Sequence, residues 1–368
     1  MQGLWVYILG FTISTFLITL AEKSSCVKAK KWYKNSFIII ALLIPICISG
    51  FRFSVGTDYN TYVSLYNKYA TCDLRNIFTV KEVEPFFIIV CKLAYILRNV
   101  NIVFFIYAIL TVTFIFAAIW NEKDKISISL AFFLYMYLYF GGSMNIMRQA
   151  LAVAVAMFSY KYVINRKFVK FILLAILAIS VHKTAIVILP LLFMIRNGGE
   201  QKKKSRVFTI MKICFIVGIV AIVLNIEYFL NIIGQIEYFE KYNVYVQYEG
   251  ESRNLSLILN LLVYSFITFF IKNMIKYDRN NEYYYYLISI GLVFGALGYK
   301  SPYLKRVSNY FNILEILLLA TIPKIVKEKK QKQIIILGII AYAVIRFILT
   351  VYILKQGDLV PYRTIFEK

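Results

Sequence analysis

The sequence predicts an all-α integral membrane protein that crosses the bilayer many times. Three observations carry that expectation. Of 368 residues, 60% are apolar and only 17% charged; the mean hydropathy is +0.69; and the charges fall in short runs between apolar blocks. A soluble domain carries about a quarter of its residues as charges, so a water-facing surface is excluded. The net charge of +23 comes from 42 Lys and Arg against 19 Asp and Glu. Scattered between apolar blocks rather than gathered on a polar face, it argues against a nucleic-acid partner.

A spanning helix needs about 20 mostly apolar residues. The first block, Leu4 to Ala21, has no Lys or Arg before it and a basic run behind it. That is the reverse of a cleavable signal peptide, and predicts a retained span with its N-terminus outside. Further spans are expected at Ser36 to Phe51, Asn101 to Trp120, Ile126 to Gly142, Arg148 to Ile164, Val207 to Ile226, Leu255 to Ile271, Tyr283 to Tyr299, Ser308 to Val326 and Gln333 to Leu354. Two stretches are harder: Val83 to Leu97 is short and interrupted by Lys92, and Phe168 to Ile195 holds His182 and Lys183 near its middle.

Cytoplasmic loops are enriched in Lys and Arg. The runs Lys23 to Lys34, Arg166 to Lys170, Arg196 to Arg206, Lys272 to Arg279 and Lys324 to Lys332 are therefore placed inside, and the acidic loop Glu227 to Glu251 outside. Two inward runs flank Phe168 to Ile195, which becomes a hairpin with His182 at its outer turn. The same parity leaves Val83 to Leu97 as a partial, juxtamembrane helix, with Ile126 to Phe140 as the alternative non-crosser. The expectation is one integral domain over residues 1–368, with about twelve crossings and both termini outside. An outer loop over 52–98 carries the juxtamembrane helix, and an aromatic, acidic outer loop covers 227–254.

Composition removes several chemistries. Five cysteines without C-x-x-C spacing predict neither a disulfide framework nor a zinc site; a single histidine excludes a multi-histidine metal centre; and no phosphate-binding G-x-x-x-x-G-K-[ST] loop is present. No metal and no cofactor are expected.

The unusual polar residues fall on the outer side of this topology. They are Arg52 to Asp58 with Tyr59, Tyr62 and Tyr66; Asn145, Arg148 and Gln149 at the start of a helix; His182 and Lys183; Lys305 and Arg306 with Tyr310; and the tail Pro361-Tyr362-Arg363. Arginines present fixed bidentate donors to phosphate oxygens, so Arg148, assisted by Arg52 and Arg306, is the expected diphosphate ligand. Either His182 or Asp58 takes the proton from an attacking hydroxyl. The catalytic candidates are therefore Asp58, Arg148 and His182; the substrate-binding candidates are Arg52, Tyr59, Asn145, Gln149, Lys183, Arg306, Tyr310 and Arg363. Each has a plainer reading: Arg52 as a snorkelling interface anchor, Asp58 as a turn residue, the tyrosines as an interface belt. An ionisable histidine within the membrane is by default functional. Glu315 and Arg346, buried by sequence in the last spans, are expected to pair.

These residues resemble the EpsG-like branch of the Wzy polysaccharide polymerases. The likeness rests on R-x-x-x-G-T-D-Y-x-x-Y at Arg52 to Tyr62, Glu84-Pro85 ahead of an apolar segment, and N-x-x-R-Q-x-x-A at Asn145 to Ala152. It continues through Arg166-Lys167, Val181-His182-Lys183-Thr184, Arg306 to Tyr310 and Pro361-Tyr362-Arg363. Thr184 stands where serine is more usual, and the Tyr228 to Tyr248 loop carries no motif. The resemblance implies a GT-C-like glycosyltransferase core in the bacterial cytoplasmic membrane, active on its outer face, that uses no nucleotide sugar and often no metal. Its implied substrates are polyprenyl-diphosphate-linked oligosaccharides, donor and acceptor; its implied partners are the bilayer, a chain-length regulator and other assembly proteins. The rivals from other classes are a lipid-linked oligosaccharide flippase and a membrane O-acyltransferase with His182 as base.

Overall fold

The computed structural model describes residues 3–26, 31–192, 251–298 and 302–367. Its helices are α1 (Leu4–Cys26), α2 (Lys31–Gly50), α3 (Tyr59–Tyr69), α4 (Pro85–Ile96), α5 (Asn101–Asn121), α6 (Ile128–Tyr135), α7 (Gly141–Asn145), α8 (Met147–Ile164) and α9 (Phe168–Val181). After the residues not described come α10 (Glu251–Tyr277), α11 (Asn280–Leu297), α12 (Pro302–Asn312), α13 (Glu315–Ile325) and α14 (Lys329–Phe347). Two π-helical stretches, Met136–Phe140 and Ile348–Ile353, follow α6 and α14.

Among the described residues, five helical stretches are long and apolar enough to cross a bilayer: Leu4–Ser24, Trp32–Gly50, Asn101–Asn121, Ser256–Tyr277 and Lys329–Ile353. The protein is thus an all-α, several-pass membrane-associated chain with five candidate spans, which corrects the expected twelve-crossing, GT-C-like core. The physical reason is that hydropathy runs across backbone breaks. The block Ile126 to Gly142 stays helical, α6 passing through a π turn into α7, but its last turn is the polar Gly-Gly-Ser-Met-Asn and it ends at Asn145. Ser308 to Val326 breaks between α12 and the 11-residue α13. Phe168 to Ile195 gives the 14-residue α9, a stop at His182 and a 3-10 turn, Lys183–Ile188. Helix α8 carries Arg148 and Lys161, and α11 opens on Asn280, Asn281 and Glu282, which lowers both below a spanning helix. At 1.5 Å per residue the 12-residue α4 reaches about 18 Å, short of the roughly 30 Å hydrocarbon core. The expected span Val207 to Ile226, the basic run Arg196 to Arg206 and residues 227–250 of the outer loop lie outside the described residues.

The core forms where small side chains let helices close on each other. In α8, every residue from Leu151 to Met157 is buried, and its Ala-Val repeat packs between α5 and α9. Such small-residue faces drive helix association in lipid, where no hydrophobic gain separates helix from tail. Helices α1 and α2 pair at the edge and turn Trp5, Leu9, Ile13, Ile40 and Leu43 outward. Glu315 and Arg346 do pair, at 3.9 Å, with Tyr139 donating to Glu315 Oε1 at 2.8 Å.

At one end of the bundle the last residues fold back over the loop that follows α2. Gly56 N–H donates to Asp358 O at 3.0 Å, Phe53 N–H to Arg363 O at 2.9 Å and Ile365 N–H to Phe51 O at 2.9 Å, making a bridge between Arg52 and Thr364. Asn145 holds the same junction, donating through Nδ2 to Gly357 O at 3.1 Å. Gly56 and Gly357 both have positive φ, +99° and +79°. A Cβ on Gly56 would stand 2.5 Å from Asn145 Oδ1, and one on Gly357 would overlap Asn145 Nδ2. Gly56→Ala and Gly357→Ala should each cost about 1–3 kcal/mol, read as a lower melting temperature of the detergent-purified protein. Gly142→Ala, with nothing within 4 Å of the added Cβ, should leave it unchanged.

Candidate functional site

Three helix breaks converge on one carboxylate. Glu84 is the N-cap residue of α4, extended at φ −76° and ψ 154°. Pro85 follows as the first helical residue and has no N–H of its own to cap, and the Glu84 side chain makes no capping bond. It reaches instead to the starts and ends of other helices. Arg148, in the first turn of α8, donates from Nη1 to Glu84 Oε2 at 2.7 Å. His182, where α9 stops in extended conformation (φ −156°, ψ 120°), sets Nδ1 2.8 Å from Glu84 Oε1. The Lys183 N–H donates to the same oxygen at 3.3 Å.

The side chains of Glu84, His182 and Arg148 are 2%, 10% and 20% exposed, so the cluster is buried beneath and opens at Arg148. Phe87 and Tyr62 border the guanidinium, their ring centres 5.4 and 6.0 Å from its Cζ. Burial alone would raise the Glu84 carboxyl. The His182 hydrogen bond and the Arg148 charge outweigh it and hold the group well below its ordinary 4.5, at about 2. An ionised carboxylate only accepts, so His182 Nδ1–H donates to it, and in the neutral ring Nε2 keeps the free lone pair. The arrangement offers an oriented imidazole base beside an open guanidinium.

The other sequence candidates divide into two groups. Lys183 meets the cluster through its backbone N–H, and Asp58 starts α3 at partial exposure, with Thr57 Oγ1 3.3 Å away. The rest hold the surrounding structure. Arg52 is fully buried under the tail, with Nε and Nη1 lacking hydrogen-bond partners. Its Cζ lies 4.9 Å from the Phe104 ring centre and 6.0 Å from that of Tyr59, a cation–π setting that offsets part of the burial cost. Burial still lowers its guanidinium to about 10, against the pull of Tyr62 and Tyr7. Tyr59 stacks on Phe104 at 4.8 Å. Gln149 donates to Arg306 O at 2.6 Å, tying α12 to α8. The Tyr310 hydroxyl meets Thr184 Oγ1 at 2.8 Å, and the Tyr310 carbonyl accepts from Tyr160 at 2.7 Å. Asn145 and Arg363 serve the tail junction, Arg363 through its carbonyl with its side chain exposed. Glu84 is the candidate site residue that residue-type reasoning passed over. Its signal was Glu84-Pro85, a lone carboxylate opening a short apolar helix.

The family model of EpsG matches residues 35–364, a range that takes in Glu84, Arg148, His182 and all but the end of the tail. The chain belongs to the EpsG family. EpsG-type membership gives it a polysaccharide-related function at the membrane and places it in an enzyme-associated family. No curated protein and no solved structure matches it.

Breaking a buried ion pair from one side costs about 3–5 kcal/mol, so Glu84→Ala should lower stability by that order. The pH dependence follows from the sign of the shift. A carboxyl depressed in the folded state adds stability that is complete above about 4.5 and is lost as pH falls towards about 2. Melting temperatures measured between pH 6 and pH 3 should fall more steeply for the wild type than for Glu84→Gln.

Proposed function

We propose that this EpsG-family protein is a membrane glycosyltransferase that joins polyprenyl-diphosphate-linked oligosaccharide repeat units on the outer face of the cytoplasmic membrane. The observation that carries the reading is Glu84 bridging Arg148 and His182, because it joins an anion ligand to an oriented base in one buried cluster.

Arg148 binds the diphosphate of the donor with the guanidinium edge not used by Glu84, and its position in the first turn of α8 adds the unpaired N–H groups of a helix start. Glu84 fixes His182 with Nδ1 protonated, as a buried carboxylate does for a catalytic imidazole. His182 Nε2 then removes the proton from the acceptor hydroxyl as its oxygen bonds to the anomeric carbon of the donor. The bond from that carbon to the diphosphate oxygen breaks, and the electron pair leaves with the polyprenyl diphosphate. Arg148 stabilises the charge gained by the leaving group, an interaction that strengthens as the reaction proceeds. The resulting imidazolium returns its proton to solvent. The geometry favours His182 over Asp58 as base, since Asp58 has no comparable orienting partner and sits at the start of a short helix.

Removing one preorganised electrostatic group commonly costs about 10²–10³ in rate. Purified Arg148→Ala should lose polymerisation of lipid-linked repeats by that factor, and His182→Ala should lose at least as much. Arg148→Ala at the normal rate would overturn the reading. In cells, the same variants should display single repeat units outside; retention of those units inside would instead indicate a flippase.

A further inference from the structure

A second polar region lies within the helices, apart from the Glu84 cluster. Helix α12 is amphipathic: Val307, Tyr310 and Phe311 are buried in the core, while Lys305, Ser308, Asn309 and Asn312, spaced i, i+3, i+4 and i+7, line a cavity of about 80 Å³. The opposite walls come from Asn260 of α10, Tyr139 and Arg346. Glycines make this approach possible. Gly291 in α11 and Gly298 just past its end bring their backbone so close to α12 that an added Cβ would stand 3.0 Å from Asn312 N and 2.8 Å from Lys305 Cα. A second cavity of about 230 Å³ abuts the first through Arg346 and Ser256, and extends past Thr350 to Asn145 and Gly357 at the tail junction.

Arg346 stands between the two. It donates from Nη1 to the Tyr342 hydroxyl at 2.5 Å and from Nη2 to Asn260 Oδ1 at 3.2 Å, with Glu315 3.9 Å away. Its side chain remains 16% exposed. Both π-helical stretches among the described residues wall these cavities, through Tyr137 to Tyr139 and through Thr350 and Val351. Single π turns inside helices recur at functional sites, and ionisable groups at membrane depth mark ligand paths.

The lining selects its ligand. An apolar chain would leave the Asn309 and Asn312 amides without hydrogen bonds, at a cost, whereas sugar hydroxyls donate and accept as amides do. Two cations favour an anion beside the sugar. We propose that the paired cavities around Arg346 bind the glycosyl-phosphate portion of a lipid-linked glycan, with Lys305 and Arg346 at the phosphate and Asn260, Asn309 and Asn312 at the sugar hydroxyls. This rests on the polymerase reading for the ligand's class. It gives the two lipid-linked substrates of that reaction one anionic site each, the other being Arg148.

The test uses the full chain in nanodiscs and two probes, polyprenyl diphosphate bearing one N-acetylhexosamine and bare polyprenyl diphosphate. Asn309→Leu should weaken the glycosylated probe about tenfold, the effect of about one lost hydrogen-bonded contact, and leave the bare lipid unaffected. Lys305→Gln should weaken both probes. Melting temperatures establish that each variant is folded. Unchanged discrimination in folded Asn309→Leu, or unchanged affinities in folded Lys305→Gln, overturns the proposal. A wild type that discriminates between the probes but joins no repeat units would keep this site and remove the polymerase reading. One that polymerises while Asn309→Leu discriminates normally would remove this site alone.

Discussion

The structure depends on one requirement: a carboxylate withdrawn from water inside a membrane-associated bundle must be neutralised by groups that arrive from far along the chain. Glu84, Arg148 and His182 are 64 and 98 residues apart measured from the carboxylate. For them to meet, α4 must begin, α8 must begin and α9 must end at the same depth. The starts of α4 and α8 and the end of α9 are therefore located by this contact. The price of burying three ionisable groups is met by mutual hydrogen bonds, and two of the helices that bring them, α8 and α9, meet at the small-residue face of α8.

The same chain handles charge in two other ways. Arg52 is buried against aromatic rings with no carboxylate, and its role is to anchor the loop after α2 beneath the tail. Glu315 and Arg346 pair across helices with Tyr139 and Tyr342 as intermediaries, so neither charge is isolated. The Glu84 cluster differs from both in joining one carboxylate to two side chains, an arginine and an imidazole, from separate helices. The number and kind of groups gathered on the carboxylate, more than exposure, set it apart, since the Arg148 and Arg346 side chains are exposed to similar degrees.

Much of this was legible in the sequence. The all-helical membrane class follows from composition, and the pairing of Glu315 with Arg346 from two isolated charges in apolar blocks. Arg148 and His182 could be singled out because an apolar helix start and a short hairpin are costly places for ionisable side chains. The number of crossings was not legible. Hydropathy averages over a window and cannot see that Ile146 and His182 leave helical geometry, or that α12 and α13 are separate. Nor does a sequence reveal that the Asn145 and Gln149 amide nitrogens donate to backbone carbonyls, or that the Tyr310 hydroxyl meets Thr184. Those bonds exist only once the tail and α12 have docked. The polar face of α12 was hidden for a related reason: its residues are unremarkable singly, and acquire meaning from the glycines of α11 that bring the helix close.

The returning tail has a consequence for biogenesis. Residues 356–365 are synthesised after every described helix, yet they close the end of the bundle where α1, the loop after α2 and the start of α8 meet. Insertion of the helices and completion of that end are therefore separate events in time. A nascent chain can hold its described helices in place while Arg52 still faces water, and the burial of Arg52 waits until residues 356–365 settle over it.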